Sequence, residues 1–435
     1  MQIVSYRGPS QPGGVSKLIE QSAKHDNSVR WSFIENDRIC TTTATGKQLR
    51  IRIASSNLNG HYRFCNEFLW PLMHSRTDLF VYSERYHNCY RALNQIFASH
   101  IDQGLETDIF IHDYQFALVP RYLSKELKEQ RILFWHIPWP ATVPDTAVTQ
   151  LLEIALGLLA CHRIGFHTES YARNFAHFVK AHLPESVVEN WNFIDFSGHR
   201  TEVLVNPAGV DYAFWQNSDG KAPPELNFSL PYVFSVDRAD YSKGVLERIK
   251  SIEIFFERRP DLIGQLQFVL ACQPTRRGLN AFDNYWTECI KEYELVTHKL
   301  AVHNWKPIVW ISENLTSSQL AVLYDRATYM LVNPSVDGLN LTAKEFIAAN
   351  KNLRASLVLS SGAGAWQELR EHVISVHDCT PEAIAEALLR ALVIPDYRVR
   401  ANMLALKRIV HANTIERWWQ IMTACELPEN QGNCA

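Results

Sequence analysis

Short, continuous apolar runs recur along the chain: QIVSY from Gln2, TDIFI from Thr107, RILFWHI from Arg131 and EVLVNP from Glu202. They continue as YVFSV from Tyr232, QFVLA from Gln267, IVWIS from Ile308, YMLVNP from Tyr329 and LVLSS from Leu357. These runs do not alternate apolar with polar, so they predict strands covered on both faces, as in parallel sheets. The segments between them predict helices over 86–99, 116–128, 169–183, 244–258, 281–298, 341–350 and 382–393. Over 244–258, Val245, Ile249, Ile252 and Phe256 fall at the three- and four-residue spacing of a buried helix face. Strand and helix in alternation predict an α/β protein of doubly wound parallel sheets.

One polar stretch, NSDGKAPPELNFS at 217–229, interrupts this pattern near the middle of the chain and reads as a linker. The expected division is an N-terminal Rossmann-like domain over 1–222 and a C-terminal one over 223–400. Residues 401–435, with RWWQIM, are expected to form a helix packing back on the first domain. A length of 435 residues suits two domains of ordinary size.

Composition narrows the function classes. With 46% hydrophobic and 20% charged residues the chain reads as globular, and a net charge of −3 provides no general field for nucleic acid or an anionic membrane. Any anionic ligand must then be gripped by local cations. Nine cysteines without CxxC spacing read as reduced thiols, and the N-terminus lacks a basic-then-apolar leader, so the expected location is cytoplasmic. LLEIALGLLA at 151–160 is too short to span a bilayer.

In open α/β sheets ligands bind beyond the carboxyl ends of the strands, and that is where the candidate chemistry clusters. After YVFSV come Arg238 and then Lys243-Gly244 at a helix start, two cations beside free amides, which suits a diphosphate or simply a solvated first turn. After YMLVNP comes Asp337-Gly338, a tight turn whose amides 338–341 open a helix carrying Glu345; two acidic residues so placed suit hydroxyl recognition, or simply a turn before an amphipathic helix with an exposed glutamate. After TDIFI comes His112-Asp113-Tyr114, and after RILFW comes His136; a histidine in an apolar run is more often core than ligand. Arg7 follows the first strand, with Gly13-Gly14 before a helix, and glycines there permit close approach of a phosphate. FVLACQPTRRG ends a strand in Arg276 and Arg277, and LWP holds Trp70.

Taken in order, IHDYQFALVPRYL, FWHIPWP, VDRADYSKG, DGLNLTAKEF and LSSGAGAWQEL resemble the trehalose-6-phosphate synthase family of retaining glycosyltransferases, from Arg7 to about residue 395. The resemblance implies a GT-B fold, two Rossmann-like domains facing across a cleft. It implies glucose transfer from a nucleotide diphosphate glucose (UDP-glucose first, GDP-glucose second) to glucose 6-phosphate, without cofactor or metal. The absence of any DxD sequence agrees with this last point. By position, Arg238 and Lys243 take the donor diphosphate, Asp337 and the Gly338, Leu339, Asn340 and Leu341 amides the donor sugar and diphosphate, Glu345 the ribose, and Gly14 lies under the diphosphate. Asp113 and His136 flank the transferred sugar and attacking hydroxyl, and Arg7, His61, Trp70 and Arg277 hold the phosphorylated acceptor together with Asp113. The catalytic set implied is Asp113, His136, Arg238 and Lys243, and a homo-oligomer is possible.

The chain departs from the family's pattern at the acceptor side. His61, or Tyr62 after a one-residue shift, stands where the family has tyrosine; Val336 stands where an arginine is usual; Trp31 aligns poorly; and the N-terminal half is short. A second reading therefore keeps the fold and changes the acceptor to glycerol phosphate or an aminosugar or aminocyclitol phosphate, including a pseudo-glycosyltransferase. A third is a non-catalytic sugar-phosphate-binding paralogue.

Overall fold

The computed structural model describes residues 1–11, 13–23, 28–43, 46–101, 107–124, 130–221, 230–302 and 305–424. They fall into two compact units, Met1–Ala208 with the segment from Ile415 onward, and Gly209–Thr414. The boundary expected between 222 and 223, most of the 217–229 stretch and positions 125–128 of one expected helix lie outside the described residues.

The first unit is built on ten strands: β1 (Gln2–Val4), β2 (Arg30–Glu35), β3 (Arg38–Thr43), β4 (Gly46–Arg52), β5 (Ile109–His112), β6 (Arg131–Trp135), β7 (Arg163–Phe166), β8 (Val187–Glu189), β9 (Phe193–Phe196) and β10 (His199–Val205). They form one sheet in the order β4-β3-β2-β1-β5-β6-β7-β10-β9-β8. The six central strands are parallel, and antiparallel hairpins close both ends. The apolar-run criterion finds the buried β1, β5 and β6 and the partly exposed β10 but passes over the hairpin strands, whose RWSFIE and RICTTT sequences mix polar with apolar positions.

The helix Ile415–Thr423 belongs to this unit. Trp418 is buried among Phe110 and Phe134, and the Asn206 amide donates to the Trp418 carbonyl at 2.9 Å. Arg163 Nη1 donates to the carbonyls of Met422 (3.0 Å) and Ala424 (2.8 Å), satisfying acceptors that a helix end leaves open.

The second unit holds β11 (Tyr232–Ala239), β12 (Gln267–Pro274), β13 (Ile308–Ile311), β14 (Tyr329–Val332), β15 (Ser356–Ser360) and β16 (Ile374–Val376). All are parallel, in the order β13-β12-β11-β14-β15-β16. Counted within the unit this is 3-2-1-4-5-6, the doubly wound order whose ligand crevice lies where the winding reverses, between the first and fourth strands. The helix Val245–Arg258 buries Val245, Ile249, Ile252 and Phe256, the face its spacing predicts, and also Arg248. No described helix is long and apolar enough to cross a membrane.

Candidate functional site

In the second unit the reversal point lies between β11 and β14, and the loops after these strands meet there. Lys243 closes the short turn Tyr241–Lys243 after β11, and its Nζ lies 2.5 Å from Asp337 Oδ2 in the loop after β14. The same oxygen accepts from Asn340 Nδ2 at 3.0 Å. Asn340 caps the helix Leu341–Ala349 from the left-handed region (φ 74°), its Oδ1 accepting from the Ala343 amide. A helix start leaves its first amides without intrahelical acceptors and carries the positive end of the dipole. Lys243, Asp337, Gly338, Asn340 and Leu341 are therefore brought together as one cationic, amide-rich corner. Arg238 is exposed at the end of β11, and Glu345, one turn into the helix, accepts from Tyr324 Oη at 3.2 Å.

A set of buried residues holds this corner in place. Gly244 sits at φ 67°, and a Cβ there would fall 2.4 Å from the Asn333 carbonyl oxygen, so neither the conformation nor the space admits another residue. Asn333 Nδ2 donates to the Gly244 carbonyl at 2.8 Å while its Oδ1 accepts from Arg248 Nε at 2.7 Å. Arg248, almost without exposure, donates through Nη2 to Asp237 at 2.7 Å. Burial pushes the Asp237 carboxyl upward, opposed by the Arg248 and Lys243 charges. Asp240 accepts from the Ser242 amide and hydroxyl on one oxygen and from Arg276 Nη1 at 2.5 Å on the other. The second wall is the 360–365 segment, where a Cβ on Gly364 would lie 2.1 Å from the Gly338 carbonyl oxygen and one on Gly362 2.2 Å from that of Ser335.

In the first unit the winding reverses between β1 and β5. Arg7 follows β1 and is exposed, its side chain running beside Gly13, and Gly14 opens the helix Gly14–Ala23. Asp113 follows β5 at φ 71°, a conformation uncommon outside glycine, and its Oδ1 accepts from the His136 amide at 3.2 Å. Asp113 and His136 thus stand together, at the ends of neighbouring strands. Trp70 lies beside Tyr114, ring centroids 6.0 Å apart. Arg277 is exposed and near Asp283 (3.3 Å), while its neighbour Arg276 turns inward to Asp240.

The expectation that His61 helps hold the phosphorylated acceptor is corrected. Its ring is sealed between Tyr6 (5.8 Å) and Tyr90 (5.2 Å), its Nε2 lies 2.9 Å from the Gln115 carbonyl, and burial pushes it down to about 4. Tyr62 is the partly exposed neighbour. Directly after it the helix widens into a π turn over Phe64–Leu69 before Trp70, and the extra residue per turn changes which positions share a face.

Arg248, Asn333, Asp240 and His167 escaped the sequence reading. Arg248 carries a signal, an arginine on an otherwise apolar helix stripe. Asn333 and Asp240 carry none until the loops fold against one another.

Two separately wound Rossmann-type units, the second with a cationic, amide-rich corner at its reversal point, define the GT-B class of glycosyltransferases. The model of glycosyltransferase family 20 matches residues 16–425, and the chain belongs to that family. A bifunctional trehalose-6-phosphate synthase/phosphatase of Thermoproteus tenax is 33% identical over 83% of this chain. The match covers only 52% of that relative's own length. A UDP-forming alpha,alpha-trehalose-phosphate synthase of Schizosaccharomyces pombe is 27% identical over 83% of this chain and 73% of its own. Among solved structures, the UDP-forming synthase of Burkholderia xenovorans in complex with glucose-6-phosphate superposes with a TM-score of 0.86 at 26% identity, covering 96% of this chain and 98% of that one. The Escherichia coli structure with UDP-2-fluoro glucose matches in fold, with a TM-score of 0.89 at 24% identity over 96% and 97% of the two chains.

Proposed function

We propose that this protein transfers glucose from UDP-glucose to glucose 6-phosphate with retention of configuration, forming alpha,alpha-trehalose phosphate. The observation that carries the reading is the Lys243–Asp337 corner, a lysine ammonium held over a helix start at the reversal point of a doubly wound sheet. When the bond between the glucose carbon and the diphosphate oxygen breaks, negative charge grows on the departing diphosphate. Lys243, Arg238 and the Gly338–Leu341 amides stabilise it, and fixed donors of this kind contribute about 10²–10³ in rate each. The acceptor hydroxyl attacks from the face the diphosphate leaves, and its proton passes to a diphosphate oxygen. This step needs no paired carboxylates of the hydrolase type. Asp337 holds Lys243 until the diphosphate arrives and then turns to the sugar hydroxyls.

Gly14 supports the diphosphate assignment. A Cβ at this exposed position would meet no atom of the described residues within 4 Å, and its φ lies outside the left-handed region, so packing among them does not require the glycine. Glu345 is assigned to the ribose, His136 to the transferred sugar, and Arg7, Tyr62, Trp70, Asp113 and Arg277 to the acceptor.

The test is UDP release from purified protein with UDP-glucose and a panel of phosphorylated acceptors. Release with glucose 6-phosphate alone supports the reading. Release only with another phosphorylated acceptor keeps the donor site and replaces the acceptor. No release with any pair, alongside measurable UDP binding, assigns the protein to sugar-phosphate binding instead.

A further inference from the structure

Across four adjacent parallel strands of the first unit, β5, β6, β7 and β10, the residues at or just beyond the carboxyl ends form one line of hydrogen bonds. His112 Nδ1 lies 3.2 Å from His136 Nε2, His136 Nδ1 lies 3.3 Å from His167 Nε2, and the Ala208 amide donates to His167 Nδ1 at 3.3 Å. All three rings are buried, His112 without exposure, His136 at 8% and His167 at 6%.

A backbone amide can only donate, and this fixes every proton in the line. His167 Nδ1 must carry a lone pair, so the ring's proton is on Nε2 and points at His136 Nδ1. That nitrogen is then the acceptor, so the His136 proton is on Nε2 and points at His112 Nδ1. His112 in turn carries its proton on Nε2, a buried atom with no hydrogen-bond partner among the described residues. A proton added to any ring in the line would set two N–H groups against each other.

The surroundings agree. The rings lining the row are Phe110 on His112 (4.2 Å), Phe134 on His136 and His167 (4.6 and 4.8 Å) and Trp418 beside His112 and His136. The nearby carboxylate, Asp113, has its Oδ1 on the His136 backbone amide rather than on the ring. Burial pushes His136 down to about 3 and His112 well below the imidazole range.

We infer that His167 and His112 are positioning residues that hold His136, beside Asp113, as a neutral imidazole with its proton on Nε2. Both ring nitrogens of His136 are then engaged within the row, so the ring is a fixed wall of the site that meets a ligand through its face and C–H edge and neither gives nor takes a proton. The proton positions rest on geometry alone, and the effect on turnover rests on the sugar-transfer reading.

The experiment is long-range ¹H–¹⁵N correlation of the histidines in the full-length wild-type protein at pH 7, assigned with single-histidine variants. Three neutral rings protonated on Nε2 are expected, and an Nδ1–H or imidazolium at His136 overturns the inference. His167→Leu removes the donor to His136 and is expected to lower kcat about 10-fold per folded molecule, as small misplacements at a reacting centre do. His167→Gln keeps an N–H in nearly the same place and is expected to restore both the His136 tautomer and most of kcat. Unchanged kcat in a folded His167→Leu protein, or failure of His167→Gln to restore the tautomer, overturns the positioning role. If the wild type transfers no sugar, the functional reading fails, while the tautomers still decide the row.

Discussion

Lys243 is held by one carboxylate oxygen, and that oxygen is shared with Asn340. The ammonium is thus fixed before any ligand arrives, and in the proposed transfer a fixed charge needs no reorganisation as charge develops on the departing diphosphate. Lys243→Ala is expected to lower turnover at least about 10²-fold while leaving the thermal midpoint close to that of the wild type, measured by UDP release and by melting. Beneath it, Arg248 answers Asp237 in the interior. Removing one partner of such a pair leaves the other charged and buried, which costs roughly 3–5 kcal/mol. Arg248→Met is expected to cost that much in urea unfolding, and adding Asp237→Asn is expected to recover part of it, since the orphan charge is then gone. At this scale the sequence showed the part of the proposed site that lies on and just after the strand ends. Arg238, Lys243, Asp337 and Glu345 stand at strand ends in recognisable company, whereas Arg248 and Asn333 matter only through partners 11 and 85 positions away in the chain.

Among the elements, the loops that carry the chemistry are shaped by glycines pressed against backbone. Gly364 touches the Gly338 carbonyl at a distance no side chain tolerates, so Gly364→Ala must push the 337–341 loop or its own segment aside. Weaker UDP binding is expected, by about 10-fold or more in calorimetry, since displaced donors lose aligned contacts. The two reversal points were readable in outline from the alternation of apolar runs with helical spacing. The hairpins flanking the first sheet were not, because their strands mix polar with apolar positions, although Trp31, Phe33 and Cys40 join a buried cluster once the strands pair. The π turn at Phe64–Leu69 was also hidden, since widening a helix by one residue per turn leaves no mark in composition.

At the scale of the whole molecule, burial of neutral histidines ties stability to pH. His61 is pushed down to about 4 and His136 to about 3 by desolvation, and His112 well below its usual range by desolvation and then by the neighbouring His136. The unfolded chain binds protons at these sites below about pH 6.5 and the folded chain does not, so stability is full above that pH and falls as pH drops toward 4. Urea midpoints measured from pH 7.5 to 4.5 are expected to fall steeply, and less steeply in His61→Phe. Glu153 adds a second loss at lower pH. Burial raises its carboxyl, but His87 and Arg91 outweigh that and bring it down to about 2, so its contribution fades from about pH 4.5 downward. Trp418 ties the returning helix into the first unit. Trp418→Ala is expected to cost about 3–5 kcal/mol, read as a lowered urea midpoint.

By itself the sequence determined the class of fold, the presence of two wound units and the strand ends at which the proposed chemistry is placed. Those follow from local periodicity and from the rule that parallel strands present their carboxyl ends to ligands. Tertiary structure alone decided that His61 is sealed in the core, that Arg248 and Asn333 brace the Lys243 corner, and that three histidines form one line with their protons set by the Ala208 amide. Each of these is a contact between segments remote in the chain, where burial and a partner's geometry settle a residue's charge and direction, and neither is written in the residue's own neighbourhood.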